Sequence, residues 1–248
     1  MTETIYALGK EKLLIGRSNY CNHPEAAKIL TPFGTSLTPN LEALARTRPS
    51  VVLIDKAAGA AMKQLTQVAN TTQLPWLTRE DIRDSILKLG DIVGAPEKAA
   101  QLSLQIHQSL ESKTSSTSQT MLVIMGGSNI EKGQIWFIRR DSIHGAAIQA
   151  AGFNNAAPKQ FSGPPQMSLE QLLQLDPDVI LFLPSTNVTQ TEKEALIASL
   201  HVVPTLRAVK NKAIGVIMGS NLMGIGPTIP TLVERIREEG RVLLERDQ

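Results

Sequence analysis

The sequence predicts an α/β fold of two Rossmann-like lobes with parallel sheets, joined by one long connecting helix. The main observation is a repeat: NLEALARTRPSVVLID at residues 40–55 returns as SLEQLLQLDPDVILFL at residues 168–183, an offset of 128 residues. Each copy reads as a polar N-cap, a short amphipathic helix, a stop signal and an apolar strand. Strands and helices also alternate along the chain, which is typical of parallel sheets.

The elements follow from apolar runs bounded by Gly, Pro, Asn or Asp, which predict strands. These runs are LLIG (13–16), VVLID (51–55), LPWL (74–77), MLVIM (121–125), VILFL (179–183) and AIGVIM (213–218). The longest helical pattern opens at Ala95, with Pro96 and Glu97 as start signals, and continues to about Ser112 before the linker KTSSTSQT. We therefore predict an N-terminal lobe at residues 1–94, a connecting helix and linker at 95–118, and a C-terminal lobe at 119–248.

Composition and charge exclude several classes of protein. Hydrophobic residues make up 42% and charged residues 19%, and no apolar run approaches the roughly 18 residues that a membrane span needs. The net charge of +2 comes from dispersed side chains, which argues against nucleic acid as a partner. The single cysteine, Cys21, excludes an internal disulfide framework. The opening MTETIYALG lacks the features of a secretory signal.

The sequence gives little evidence of a catalytic motif. The histidines at positions 23, 107, 144 and 201 are scattered, and none has the spacing that places two ligands on one helix face. Cys21 and His23 could both contact a metal, but a loop without a ligand is the simpler interpretation. Ser128 lies in MGGSN, which is not a nucleophile motif. The glycine-rich turns at residues 126–127 and 224–226 are interpreted as tight loops at the ligand-facing edge of the sheet, or as simple turns.

Aromatic residues are more informative because the chain has only nine. Five of them lie in predicted loops among Asn, Pro and Gly, namely Tyr20, Phe33, Trp136, Phe137 and Phe161. Loops after strand ends are where α/β folds bind ligands, and aromatic rings give a large contact area. The loops of both lobes therefore predict a ligand cleft, although each ring could also be a local anchor.

The residues resemble a known family. Segments YALG, LLIGRSNYCNHP and LTPNLEALARTRPSVVLI, followed by IHGAAIQAAGFNNA, MSLEQLLQLDPDVILF, AVKNKAIGVI and the turn Gly226–Pro227, are similar to periplasmic substrate-binding proteins for cobalamin, haem and iron siderophores. The resemblance covers nearly the whole chain, and SNYCNHPEAAK is most similar to cobalamin-binding members. In this family two lobes are joined by one rigid helix, and the protein delivers its ligand to an ABC transporter.

The resemblance implies roles for the two glutamates of the repeat. Glu42 and Glu170 match the first-turn acids that dock with arginines of the membrane permease. The alternative is that each glutamate only complements its helix N-terminus, an effect of about 0.3–1 kcal/mol at an exposed site. That alternative explains one glutamate well, but it explains less well why both copies of the repeat keep it.

The resemblance also implies a ligand site between the lobes. Its expected residues are Tyr20, Phe33, Lys56, Trp136, Phe161, Ser185 and Asn221. Because no dense cluster of Arg and Tyr appears, we expect a large, mostly neutral ligand such as a corrinoid; a siderophore or haem is the alternative. The resemblance implies a monomer without a cofactor, located in the periplasm or anchored outside the membrane.

The sequence departs from the pattern of the family in two places. Family members open with a strand before the TE at residues 2–3, so we expect the N-terminal lobe to lack its first strand and the start to be truncated. Thr228 stands where members often carry Arg.

Three other functions remain as alternatives, since each could use the same fold: an enzyme acting in the cleft, a receptor for a metal ion and a cytosolic ligand sensor.

Overall fold

The computed structural model describes residues 1–55, 61–76, 78–111, 118–160 and 163–245. The chain forms two compact units. Unit 1 contains residues 1–107 and 225–227, and unit 2 contains residues 108–224 and 228–248. Both units combine helices with parallel strands, as the sequence predicts.

The described residues of unit 1 form two short parallel strand pairs, β1 with β2 and β3 with β4. Its elements in chain order are α1 (Thr2–Ala7), β1 (Gly16–Arg17), β2 (Thr31–Pro32), α2 (Leu41–Thr47), β3 (Val52–Ile54), α3 (Met62–Val68), β4 (Thr71–Gln73), α4 (Arg79–Ile92) and α5 (Pro96–Ser109), with 3₁₀ turns at Glu11–Leu13 and Glu25–Ile29. The division between the units falls inside α5, between residues 107 and 108. The predicted limits of the lobes, and α5 as their only link, stay predictions.

Unit 2 is built on a four-stranded parallel sheet in the order β10-β9-β5-β7, with β6 and β8 as an antiparallel pair. Its elements are β5 (Thr120–Met125), β6 (Ile135–Trp136), α6 (Ile143–Ala150), β7 (Asn154–Asn155), β8 (Gln166–Met167), α7 (Leu169–Leu175), β9 (Val179–Leu183), α8 (Gln190–Ser199), a 3₁₀ turn (Leu200–Val202), α9 (Arg207–Lys210), β10 (Ile214–Val216) and α10 (Ile229–Glu245). Every residue of β9 is buried, as expected for a strand covered on both faces.

The repeat seen in the sequence is also a structural repeat. Helices α2 and α7 each have seven residues, and their N-caps, Asn40 and Ser168, accept a hydrogen bond from a first-turn backbone N–H. Both helices end in a residue with left-handed backbone, Arg48 and Asp176. Each helix then leads into a parallel strand, β3 or β9. The local signals in the sequence therefore set both ends of the two helices.

Two predicted strands lie elsewhere than expected. The run LLIG at residues 13–16 is mostly a 3₁₀ turn and a loop, and β1 begins only at Gly16, with Leu13 59% exposed. The run LPWL begins after β4 has ended at Gln73, and its Leu74 and Trp76 are buried outside the strand. An apolar run marks burial, which strands and buried loops share, so it does not fix where strand pairing begins.

A polar network closes the amino-terminal side of the unit 2 sheet. The Arg207 side chain donates to both Asp176 and Asp178, and the Arg207 backbone N–H donates to the Asp176 carboxylate at 2.8 Å. Asp178 in turn accepts from the backbone N–H and the hydroxyl of Thr120, each at 2.8 Å. These bonds join α7, β5, β9 and α9. Hydrogen bonds from the Arg207 backbone, with its side chain adding to them, lower the pKa of Asp176 although partial burial opposes this.

We expect Asp176→Asn to lower the free energy of unfolding at neutral pH by about 1 kcal/mol or less, because the pair is half-exposed. The pKa of Asp176 is lower in the folded than in the unfolded chain, whose value is about 3.9. The stabilisation is therefore complete above the unfolded pKa and is lost as the pH falls through the folded one.

Urea unfolding followed by circular dichroism at a series of pH values from neutral to acid measures this difference. Asparagine keeps the left-handed backbone of position 176, so the variant removes the charge and one acceptor oxygen without changing the backbone. Asp84→Asn is the control, since within the described ranges Asp84 pairs with its exposed neighbour Arg83 alone. A loss for Asp176→Asn that is as large at the acid end as at neutral pH would contradict the expectation.

Candidate functional site

The carboxyl ends of three neighbouring strands form one edge of unit 2. β10, β9 and β5 are adjacent and parallel, so the loops after them lie along the same edge. The backbone N–H of Gly126, after β5, donates to Leu183 at 3.0 Å. Ser185, after β9, is exposed beside Gly126, and Asn221 follows β10 with a φ of 55°. The structure thus places Ser185 and Asn221 at the edge where ligands bind in parallel α/β sheets.

Trp136 is held at the same edge by Ser128. The Ser128 hydroxyl donates to the Met125 carbonyl at 2.8 Å and accepts from the Trp136 backbone N–H at 2.9 Å. Trp136 lies in β6 and is half-buried, whereas its neighbour Phe137 is buried in the core, so a cleft position for Phe137 is wrong. Ser128 therefore acts as a support for the Trp136 backbone.

The cavity between the ends of β5 and β9 is small. It has a volume of about 30 Å³, and its lining includes Gly126, Ser128 and Pro184. Organic ligands occupy roughly 300–1,000 Å³, whereas a space of this size suits a single water. This cavity is therefore too small for an organic ligand, and the aromatic and polar groups at this edge lie on an open surface instead.

His144 lies beside the loop that carries Asn221. It lies in the first turn of α6 and is 7% exposed, and its Nε2 has no hydrogen-bond partner among the described residues. Burial lowers the pKa of His144, and the backbone of Leu222 and Met223 only partly opposes this. A neutral imidazole is therefore favoured at this position.

In unit 1 the two aromatic residues predicted to contact the ligand, Tyr20 and Phe33, have different environments. The Tyr20 side chain is 82% exposed in the loop after β1. Phe33 packs against the unit 1 core around Leu44 and Leu65, and its ring lies over Gly16, where a Cβ would meet it at 1.9 Å. Tyr20 is available to a ligand, while Phe33 mainly anchors its loop.

The pair Cys21 and His23 shows no metal geometry. The thiol is 3.3 Å from the Ser18 hydroxyl, and His23 lies 3.7 Å from Glu3. Burial raises the pKa of Cys21, but hydrogen bonds with Ser18 and Thr2, together with the nearby positive charge, outweigh it and lower the pKa. In the part of the chain that the structure describes, no group of three or more His, Cys, Asp or Glu could hold a metal ion.

Two residues of the predicted site, Lys56 and Phe161, lie outside the described residues. Both stay predictions. Lys56 follows the predicted strand VVLID, and Phe161 lies in a predicted loop.

The two glutamates of the repeat occupy matching positions but have different partners. Glu42 and Glu170 are both the second residue of their helix, and both are exposed. Glu42 pairs with Arg46 one turn later in α2. Among the described residues Glu170 has no such cation, and it accepts from the Ser168 hydroxyl at 2.6 Å, a bond that lowers the pKa of Glu170. The two glutamates therefore occupy the same position in their helices, but the groups that interact with their carboxylates differ.

Sequence reasoning missed Arg17 and Ile29. The Arg17 guanidinium donates to backbone carbonyls of the loop that carries Tyr20, and Ile29 is 88% exposed. GRSN after an apolar run was a signal for a loop, but nothing in it showed which carbonyls Arg17 would reach. Ile29 lies in a 3₁₀ turn, whose exposed side an apolar pattern does not reveal.

The described helices include none that is long and apolar enough to cross a membrane. A curated relative is the protein named "Putative ABC transporter substrate-binding lipoprotein YhfQ" of Bacillus subtilis (strain 168), which is 29% identical over 195 residues. The match covers 73% of this chain and 60% of that protein, so the chain spans about three fifths of the relative's length.

Solved structures share the fold across nearly the whole chain. The haem-binding protein BhuT in complex with two haems has a TM-score of 0.78 at 21% identity, covering 98% of this chain and 95% of that one. A periplasmic haem-binding protein from Pseudomonas aeruginosa has a TM-score of 0.77 at 24% identity, covering 96% and 89%. The vitamin B12-binding protein BtuF of Vibrio cholerae has a TM-score of 0.74 at 22% identity, covering 98% and 94%.

The family model described as periplasmic binding protein matches residues 1–218, which is most of the chain. That match agrees with the parallel α/β units and with the paired capped helices α2 and α7. The chain belongs to the periplasmic binding protein family.

Proposed function

We propose that this protein is the substrate-binding protein of an ABC transporter and that it captures a large metal chelate. The observation that carries the proposal is the family match together with the shared fold of proteins whose names include haem, vitamin B12 and siderophore binding. The YhfQ relative supports a transporter partner and a location in the periplasm or anchored outside the membrane. The role is non-catalytic, since the family binds and delivers its ligands.

Within this class a corrinoid is our first choice of ligand, and haem or an iron siderophore is the alternative. Tyr20, Trp136, Ser185 and Asn221 offer aromatic surface and neutral hydrogen-bonding groups, which suits a large and mostly neutral chelate. Haem would need an axial ligand such as a tyrosine or a histidine. The exposed Tyr20 could supply one, so absorbance spectra are needed to distinguish the ligands.

Titration of the full chain with cyanocobalamin, haemin and ferric ferrioxamine B tests the ligand class. We expect one of them to bind with a dissociation constant of about 1 μM or less, measured by absorbance and calorimetry. Cyanocobalamin is our first choice. Trp136→Ala should weaken that binding about tenfold, because the ring supplies apolar contact, while Trp136→Phe should retain most of it.

Three outcomes of this titration would change the proposal. Failure of all three probes to bind at 100 μM would overturn a chelate receptor. Binding of a bare divalent cation instead, seen by metal analysis of the purified protein, would favour the metal-ion receptor. A Trp136→Ala variant that binds as well as the wild type would remove Trp136 from the site but leave the function standing.

We further propose that Glu42 and Glu170 dock with the permease. Their equal position in two repeated helices supports this, and charge reversal should disrupt a contact with cationic groups. We expect Glu42→Arg with Glu170→Arg to lower ligand uptake by reconstituted transporter about tenfold or more while leaving ligand affinity unchanged.

Glu80→Arg is the matched control for docking. Glu80 is also exposed and is also the second residue of its helix, α4, so its reversal costs the same interaction with the helix N-terminus. Equal losses of uptake for Glu80→Arg and for the double variant would contradict docking. Because Arg46 already pairs with Glu42, we expect the single variant Glu170→Arg to lose more uptake than Glu42→Arg.

A further inference from the structure

The sheet of unit 2 has an open edge at β10. In the strand order β10-β9-β5-β7, β10 pairs with β9 alone among the described strands. The Ile217 N–H donates to the Phe182 carbonyl at 2.8 Å, and the Ala213 carbonyl accepts from the Ile180 N–H at 3.0 Å. Because alternate residues of a strand bond to the same neighbour, the N–H and C=O of Val216 point to the open side.

A cavity, the β10 groove, lies beside this open edge. Its volume is about 180 Å³, compared with about 30 Å³ for the cavity between β5 and β9. Its lining includes Lys193 of α8, Val216 and Met218 at the end of the strand, and Glu239 and Val242 of α10. Val216 is only 1% exposed, and buried backbone groups need hydrogen-bond partners. A molecule in the β10 groove can therefore bond to the backbone of Val216.

Helices cover both faces of the sheet beside the β10 groove. On one face Leu196 of α8 packs against the core cluster that includes Val216. On the other face α10 crosses Gly215, where an added Cβ would lie 2.8 Å from Glu239 Oε1. Lys193 therefore lines the groove from the α8 side, and Glu239 lines it from the α10 side.

The β10 groove holds one positive and one negative charge that are free to bind a partner. Lys193 and Glu239 are both half-buried, and within the described ranges neither side chain has a hydrogen bond or an ion pair. Arg235 and Glu238, which also line the groove, pair with each other at 3.2 Å. Partly buried charges are stabilised by an opposite charge. The groove therefore offers a cation on its α8 side and an anion on its α10 side.

An extended peptide would satisfy these groups together. A strand added beside β10 can accept from the Val216 N–H and donate to its C=O, as happens when peptides add to a sheet edge. Side chains at the same level of neighbouring strands share a face of the sheet, and successive side chains alternate between the faces. The peptide residue beside Val216 would face Lys193, and the next residue would face Glu239. Charge complementarity therefore requires an acidic residue directly next to a basic one.

We propose that the β10 groove is a docking site for an extended peptide segment of a partner protein, one that carries an acidic and a basic residue at adjacent positions. The site does not depend on the proposed function, because none of its groups needs a chelate. A second copy of the chain is a poorer occupant. A twofold axis that pairs two antiparallel β10 edges places Lys193 of both copies on one face and Glu239 of both copies on the other, so like charges meet.

Binding of synthetic hexapeptides to the full chain tests the site. The probe is TVEKVT, acetylated and amidated. The peptide TVSSVT is the uncharged control, and TVEKVT with its two central amides N-methylated is the backbone control. We expect TVEKVT to bind with a dissociation constant of about 100 μM, because the contact is short, and to shift the amide NMR signals of residues 214–218. Each control peptide should bind about tenfold more weakly or less, since it lacks the charges or the backbone donors.

Charge reversal on one side of the β10 groove should change which peptide is preferred. Lys193→Glu leaves acids on both sides, so it should weaken TVEKVT binding about tenfold and favour the dibasic peptide TVKKVT. An acid in the first turn of α8 also suits the helix N-terminus, so we expect the variant to fold, which circular dichroism checks. Lys88→Glu is the matched control, because Lys88 is an exposed lysine of helix α4 in unit 1. It should keep the preference for TVEKVT.

Each contrary outcome overturns a definite part of this inference. No shift of residues 214–218 with TVEKVT at about 1 mM would overturn the docking site. Equal binding of the N-methylated peptide would rule out pairing with β10, and a Lys193→Glu variant that still prefers TVEKVT would overturn selection by charge. If no peptide binds while Lys193→Ala with Glu239→Ala makes the protein a dimer by light scattering, the two charges serve instead to keep the edges of two copies apart.

Discussion

The parallel pairing of β5 with β9 is the constraint on which unit 2 depends. Five residue pairs align the two strands, from Met121 with Val179 to Met125 with Leu183. The backbone groups of these buried strands must be hydrogen-bonded, so the register cannot slip without exposing or orphaning them. That register sets Gly126 next to the chain after Leu183. It thereby brings the loops that carry Trp136, Ser185 and Asn221 to one edge.

At the opposite end of the same sheet, hydrogen bonds between charged and polar side chains connect the strands. Arg207 joins Asp176 and Asp178, and Asp178 bonds to Thr120 at the start of β5. The polar network lies at the amino ends of the strands, away from the candidate site. The polar network and the loops of the proposed site therefore lie at different ends of unit 2, so those loops can vary without loss of the network.

Unit 1 fixes its loops by other means. Its described strands form two short pairs, and its core around Leu44, Ile54 and Leu65 is small. Side-chain bonds to the backbone, above all those from Arg17, supply the order that a longer sheet would otherwise give. Rigidity of this kind is suited to a receptor, because a loop that is already ordered pays little entropy on binding.

The sequence by itself determined the fold class and the repeated helix of each unit, because caps, stop signals and apolar strands are local patterns. Asn40 and Ser168 start helices, and the runs VVLID and VILFL hold strands where they were expected. Only the tertiary structure decided that Phe33 and Phe137 are packed while Tyr20 and Ile29 are exposed. It also decided that Arg17 reaches a carbonyl eleven residues away. Such contacts depend on strand pairing and loop closure between distant residues, which no local pattern encodes.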